Sequence, residues 1–442
     1  MAYAADRDAW QVTWRLGRPS SALRFDRRAA HGHRDEVWQA AAGLRWRRDG
    51  DADVLEPIDG VPRQVFAAAL STDDTSAGRA APTHLRWSDG AVVLFTGAIA
   101  GDVEVCDATR CGPRAGPRSW AVRAPGAEVR IGRVVARDAV TSTEAAGARG
   151  GAFVRVGPAR APTVDDATVT LVLDRGLPAW LAAETQALVP RLLARFTAQT
   201  GQAPPPPVVL AGARPSSARG LIVRGRMVPG AVVLEAAGAG FRRASAGARR
   251  QWTELLAHEL FHLWNGDLAR RTDLRDEWLS EGGAAFVAGV ALREAGLLDG
   301  RRYGWRVVAA ANACAQTLRG PLADVAAEAS YYACGELVHV VIDRALTGDG
   351  GVMPVVARLF ADARARASGT YGTADLVALV AAAEVAPATL AAVRALLETG
   401  PGPQPLATVA QLLAAVGITT TVVPARRGRP PRLRFVRARP AW

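Results

Sequence analysis

Residues 251–266 read Gln-Trp-Thr-Glu-Leu-Leu-Ala-His-Glu-Leu-Phe-His-Leu-Trp-Asn-Gly, with two histidines four positions apart and a glutamate directly after the first. On an α-helix, positions i and i+4 share a face, so His258 and His262 can aim both imidazoles at one divalent ion. Glu259 is rotated by one residue, beside such an ion and not on it, where a carboxylate can take a proton from water. Gly266 is expected to stop this helix. A catalytic Zn²⁺ needs a third protein ligand and one position left for water. Glu281 is the candidate, with 18 residues between it and His262, on a second helix beginning near Asp276. Glu277, one turn earlier, is the alternative ligand, or else an acidic partner of the helix dipole. Gly282 and Gly283 are expected to remove side chains where these two helices approach each other.

The His-Glu-x-x-His pattern, the 18-residue gap and the segment Trp278-Leu279-Ser280-Glu281-Gly282 resemble the gluzincin zinc metallopeptidases, whose catalytic domain is thermolysin-like. Asn265 makes the sequence most similar to the glycyl aminopeptidase family, a relative of the aminopeptidase N family. The resemblance implies one Zn²⁺ per chain on His258, His262 and Glu281, with Glu259 as general base and a peptide or protein as substrate. It also implies an oxyanion donor. Ser330-Tyr331-Tyr332-Ala333-Cys334-Gly335 is similar to the Tyr-x-Lys-Gly helix of these families, which gives Tyr332 that role and puts Cys334 where the Lys stands. The other reading of Tyr332 is a core aromatic.

The strand whose Glu binds the substrate's free amino terminus survives in part, as Leu234-Glu235 within Gly230–Ala236, without its closing Asn or His. Gly230 and Glu235 are the candidate substrate-binding residues, and a plain exposed strand Glu is the alternative. That strand is also expected to be able to pair with an extended peptide by edge addition. Exo- and endopeptidase activity both stay open. The tail after Gly417 is too short for the PDZ domain common in glycyl aminopeptidases. A rival reading is a catalytically impaired homologue that acts as a metal-binding or interaction module.

Residues 1–165 read as short strands separated by turns such as Asp49-Gly50 and Asp89-Gly90. Trp10, Val12, Trp14 and Leu16 alternate with polar residues in the period of a half-buried strand, and further runs lie at Val92–Phe95, Val103–Cys106, Val129–Val135 and Phe153–Val156. After residue 166 the pattern changes. A strand at Thr168–Asp174 is followed by a helix at Pro178–Thr200 and strands at Val208–Ala211, Leu221–Val228 and Ala231–Ala236. Helical signals then run to Gly400, and the tail reads as a hairpin of Gly417–Val423 and Arg432–Val436. The expected architecture is a multidomain α+β protein. It comprises an N-terminal antiparallel β-sandwich or saddle (1–165), a thermolysin-like domain of mixed sheet plus helices (166–345), and a helical C-terminal region with a short hairpin (346–442).

The chain carries 54 basic residues, all Arg, and a formal charge of +12, of which seven charges come from Arg426 to Arg439. A basic excess that lies largely in the tail, without interleaved aromatics beyond Phe435, argues against a specific nucleic-acid partner. No run is long and apolar enough for a transmembrane helix, and the oligomeric state is not encoded legibly. The N-terminus lacks the basic start and apolar core of a signal peptide, although Ala2-Tyr3-Ala4 has the form of a cleavage site. The four cysteines permit three pairings. The local ones, Cys106 with Cys111 and Cys314 with Cys334, suit an oxidising compartment, periplasmic or secreted, while reduced thiols in a cytoplasmic protein are the alternative. His31, His33, His84 and His339 are read as loop, strand or core histidines.

Overall fold

The computed structural model describes residues 1–5, 9–25, 34–50, 52–71, 84–100, 103–107, 109–113, 118–144, 151–159, 163–324, 328–346, 351–425 and 430–436. His31, His33 and the arginines at 426, 427, 429, 437 and 439 lie outside them. The chain divides into two compact units, residues 1–182 with 206–243 and residues 183–205 with 244–442.

In the first unit, strand Ala9–Ser20 buries Trp10 and Val12 and exposes Gln11 and Thr13, as the alternation requires. It belongs to a nine-stranded sheet, and Ala22–Phe25 lies in a second, five-stranded sheet. Pairing in both is antiparallel apart from a short parallel bridge of Ala2 with Arg123. Val129–Val135 is not one strand but the end of a hairpin. Arg118–Ile131 turns at Gly132, with φ 56°, into Val134–Glu144. The apolar run crosses the turn without a break in hydropathy, and only the glycine marks it.

The unit's third sheet is mixed, in the order Thr163–Asp165, Thr170–Leu173, Val208–Arg214, Ala231–Ala237, Ile222–Val228. Its three central strands are parallel and its two outer ones antiparallel. The chain between Thr170–Leu173 and Val208–Arg214 is long enough for the crossover that parallel neighbours need, and it contains the helix Ala179–Thr200, most of which belongs to the second unit. Pro229-Gly230 joins the last two strands, and Gly230, at φ 72°, fills the left-handed position of that turn. Val172, Val208, Leu210 and Val233 pack with Trp87, Val93 and Phe95 in one core, which is why residues up to 243 group with the N-terminal sheets. The packing boundary thus differs from the sequence boundary at 165.

The second unit is helical. Its elements are the motif helix Ala246–His262, the glutamate helix Glu277–Glu294, the helix Gly300–Thr317 and the tyrosine helix Glu328–Ala345. Four shorter helices follow, Met353–Ala365, Thr373–Ala382, Pro387–Glu398 and Pro405–Ala414. Trp252, Leu256, Leu260, Phe261, Trp264 and Trp278 are buried in its core, each stabilising the fold by roughly 1.5–3 kcal/mol. The terminal hairpin, Thr420–Val423 with Arg432–Phe435, buries Leu433 and exposes Arg432 and Arg434, as its alternation predicts. Cys106–Cys111 and Cys314–Cys334 are both disulfides. Among the described residues no helix is long and apolar enough to cross a membrane.

Candidate metal centre

The motif helix starts at Ser245, whose hydroxyl accepts from the Ala248 N–H at 3.1 Å and satisfies one of the free donors of the first turn. Gly266 does not stop the chain's coiling as expected. The α-helix passes at His262 into a wider π-helical turn, Leu263–Leu268, closed by Ala269 N donating to the Trp264 carbonyl at 2.9 Å.

Three donor atoms converge beside this helix. His258 Nε2 lies 3.1 Å from Glu281 Oε2, His262 Nε2 lies 3.3 Å from the same oxygen, and the two nitrogens are 3.2 Å apart. Ligands at bond lengths of about 2.0–2.1 Å in a tetrahedron sit about 3.3 Å from one another. The triangle therefore has the size of three corners of a zinc site, and two imidazoles with a carboxylate match a catalytic zinc set. Among the described residues these three form the one such group. Glu277 does not join them, because its carboxylate accepts from Arg271 Nη2 at 2.7 Å.

The ring of His262 is oriented from behind. Asn265 Nδ2 donates to the Ser280 carbonyl at 2.7 Å, which turns its Oδ1 towards His262 Nδ1, 2.8 Å away. Nδ1 then carries the proton and Nε2 offers its lone pair. Tyr371, fully buried, donates to the Asn265 carbonyl at 2.6 Å. Burial opposes charge on His262, yet Glu281 against its ring and Glu259 nearby raise its pKa to about 9. A proton thus competes with a metal cation for Nε2. For Glu281 burial favours the neutral form, but His262 and His258 hold its carboxyl well below the usual range.

Glu259 is buried and interacts electrostatically with both His262 and Tyr332. The Tyr332 ring lies 5.6 Å from that of His258, and its hydroxyl is hydrogen-bonded to Glu281. Burial, then the Glu281 carboxylate, push this phenol far above its ordinary value, so it remains an O–H donor.

The two glycines act differently from expectation. A Cβ on Gly282 would lie 2.3 Å from Gly335 Cα, and one on Gly335 would lie 2.2 Å from the Trp278 carbonyl. The backbone-to-backbone crossing is thus between the glutamate helix and the tyrosine helix, not the motif helix. Gly283 faces His339, a buried core histidine whose Nδ1 donates to the Gly335 carbonyl at 2.8 Å and whose pKa burial lowers to about 4.

Glu235 belongs to the other unit. It is 1% exposed, and Arg214 Nε donates to its carboxylate at 2.9 Å. Its strand is bonded on both sides, to Val208–Arg214 and to Ile222–Val228, so edge addition to it is excluded, and the strand at the end of this sheet is Ile222–Val228. The plain exposed Glu is excluded with it.

No family model matches the sequence, and no curated protein matches it. Among solved structures the chain is similar to an aminopeptidase N family protein of Idiomarina loihiensis, at 14% identity and a TM-score of 0.64 over 96% of this chain and 78% of that one. It is also similar to an M1 zinc metallopeptidase of Deinococcus radiodurans, at 18% identity and a TM-score of 0.50 over 90% of each chain. A mutant of the latter bound to a Tyr-Ser-Ala substrate matches at 18% identity and a TM-score of 0.51, over 90% of this chain and 91% of that one. At these identities the likeness shows the fold. The chain has the α+β fold of the aminopeptidase N and M1 proteins, which agrees with the gluzincin resemblance of its motifs.

Proposed function

We propose that the chain is a zinc-dependent peptidase, acting through His258, His262, Glu259, Glu281 and Tyr332. The reading is carried by the 3.1–3.3 Å triangle of two imidazole nitrogens and one carboxylate oxygen. One Zn²⁺ held there supplies Lewis acidity towards water and a peptide carbonyl. Glu259, one residue from the first ligand, accepts the proton of the attacking water and passes it to the leaving amine. Tyr332 donates its hydroxyl to the carbonyl oxygen as that oxygen gains negative charge, without bringing a full charge of its own. Asn265 holds His262 in the tautomer that leaves Nε2 bare.

The finer reading is an aminopeptidase. It is supported by the shared fold and by the Tyr-Ser-Ala substrate of the Deinococcus radiodurans protein. Glu235 is the proposed amine-binding residue, with Arg214 Nε already donating to one oxygen of its carboxylate. Residues 166–345 are assigned as the catalytic segment, with Tyr371 of the 346–442 region supporting it. The two disulfides suit a periplasmic or secreted protein.

The deciding experiment compares wild type with Glu259→Gln on Tyr-Ser-Ala and on its amino-blocked form, with and without chelator. Zinc content should survive while turnover falls by several orders of magnitude, and cleavage of the free-amine peptide alone supports the aminopeptidase. Unchanged turnover in Glu259→Gln removes the base. Inactivity of zinc-loaded wild type on both peptides favours the impaired homologue.

A further inference from the structure

Arg306, on the helix Gly300–Thr317, sends its guanidinium to three other helices. Nη1 donates to Glu254 on the motif helix, Nη2 to the Ala285 carbonyl on the glutamate helix at 3.1 Å, and Nε to Glu336 on the tyrosine helix at 2.5 Å. The spacing of these partners is regular. Glu254 precedes His258 by four residues, Ala285 follows Glu281 by four, and Glu336 follows Tyr332 by four. Each attachment is thus one helical turn from a group at the metal centre, on the same face of its helix. Gly289 leaves room for the arrangement, since a Cβ there would lie 2.9 Å from Arg306 Nε.

Largely buried ion clusters are weak sources of stability, because desolvating the charges cancels most of their attraction. What a planar guanidinium adds is direction, with several donors held in one rigid plane. Here that plane ties three helices in axial register at once. Cys314–Cys334 already joins Gly300–Thr317 to the tyrosine helix covalently, so adjacency of those two helices does not depend on Arg306. The register of the motif and glutamate helices against Tyr332 has no such bond.

We infer that Arg306 is a positioning residue for Tyr332, fixing through Glu254, Ala285 and Glu336 where the phenol stands relative to His258 and Glu281. This rests on the oxyanion role given to Tyr332 above. A residue that only stabilises the fold lowers the amount of folded enzyme equally whether or not the phenol is present. One that acts through Tyr332 loses its effect on turnover once the phenol is gone.

The test is a double-mutant cycle on zinc-loaded protein with Tyr-Ser-Ala, using Arg306→Gln, Tyr332→Phe and the pair. Tyr332→Phe should lower kcat by about 10²–10³-fold, the usual effect of one oxyanion donor. Arg306→Gln should lower kcat at least tenfold, with KM and zinc content within about twofold of wild type. In the Tyr332→Phe background, the same substitution should change kcat less than about twofold. Arg306→Lys, which keeps the charge but not the fork, should recover part of the loss. A tenfold loss repeated in the Tyr332→Phe background overturns the positioning role, as does unchanged kcat in folded Arg306→Gln. Unchanged kcat in Tyr332→Phe alone overturns the oxyanion role, and this inference with it. Should Arg306→Gln fail to fold, the half-exposed partner is replaced instead, as Glu254→Gln, and additivity in that cycle is equally decisive.

Discussion

The crossing of Gly282 over Gly335 gives the sharpest expectation for a single methyl group. A Cβ added at Gly282 lands 2.3 Å from Gly335 Cα, 2.4 Å from its carbonyl carbon and 2.8 Å from Glu336 N, all of them backbone atoms. Carbon atoms pack comfortably at about 3.5–4.0 Å, so Gly282→Ala forces the glutamate and tyrosine helices apart by roughly 1.2–1.7 Å at that point. Overpacking of this kind costs about 1–3 kcal/mol, which for a unit of this size lowers Tm by roughly 2–12 °C. Glu281 is the adjacent residue, and its bond to the Tyr332 hydroxyl spans the same crossing. A misplacement of about 1 Å at a reacting group costs about 10²-fold in turnover. Gly283→Ala is the control, because its Cβ would meet the His339 ring at 3.2 Å, and a side chain can shift by tenths of an ångström. Thermal unfolding followed by circular dichroism, with zinc content and tripeptide turnover on the same samples, reads all of this. A Gly282→Ala variant that melts and turns over like wild type, or a Gly283→Ala variant that is the more damaged, would refute the backbone crossing as the source of these effects.

Asn265→Ala should weaken zinc binding about 10–100-fold in a competitive chelator titration, the usual effect of removing an outer partner of a ligating histidine. Tyr371→Phe should act in the same direction and more weakly, and tighter binding in either variant would contradict the orienting role. Zinc affinity should rise with pH. At pH 7 His262, with its pKa at about 9, carries a proton that coordination must remove, so the apparent Kd should fall up to tenfold per unit and level off above about pH 9. A Kd constant from pH 6.5 to 8.5 would refute this. Reducing Cys314–Cys334, whose partners are 20 residues apart, should cost about 3 kcal/mol and lower Tm measurably, and equal melting with and without reductant would count against that estimate.

The convergence of His258 and His262 on one face of the motif helix was legible because two imidazoles at i and i+4 need only a helix to meet. Glu281 was legible less directly. Spacing offered Glu277 as well, and the choice was made by Arg271, which holds Glu277 elsewhere. The alternation at Trp10–Leu16 and Leu433–Phe435 marked strands correctly, since period-two burial is written in the residues themselves. Whatever depended on neighbours distant in the chain was illegible. Gly282 shows that a helix needs space without showing which partner fills it, and Glu235 shows a carboxylate without showing that its strand is flanked on both sides. Asn265, three residues after His262, carried a local signal for its contact with that ring. Tyr371 and Arg306 carried none.

The hydrogen bond from Tyr371 to Asn265 spans 106 positions in the chain. At ribosomal rates of about 5–20 residues per second, the two imidazoles leave the exit tunnel roughly 5–20 s before the phenol that steadies one of them. During that interval the Asn265 carbonyl has no Tyr371 hydroxyl from which to accept. The contact that steadies Asn265 is thus completed only after both imidazoles have been synthesised.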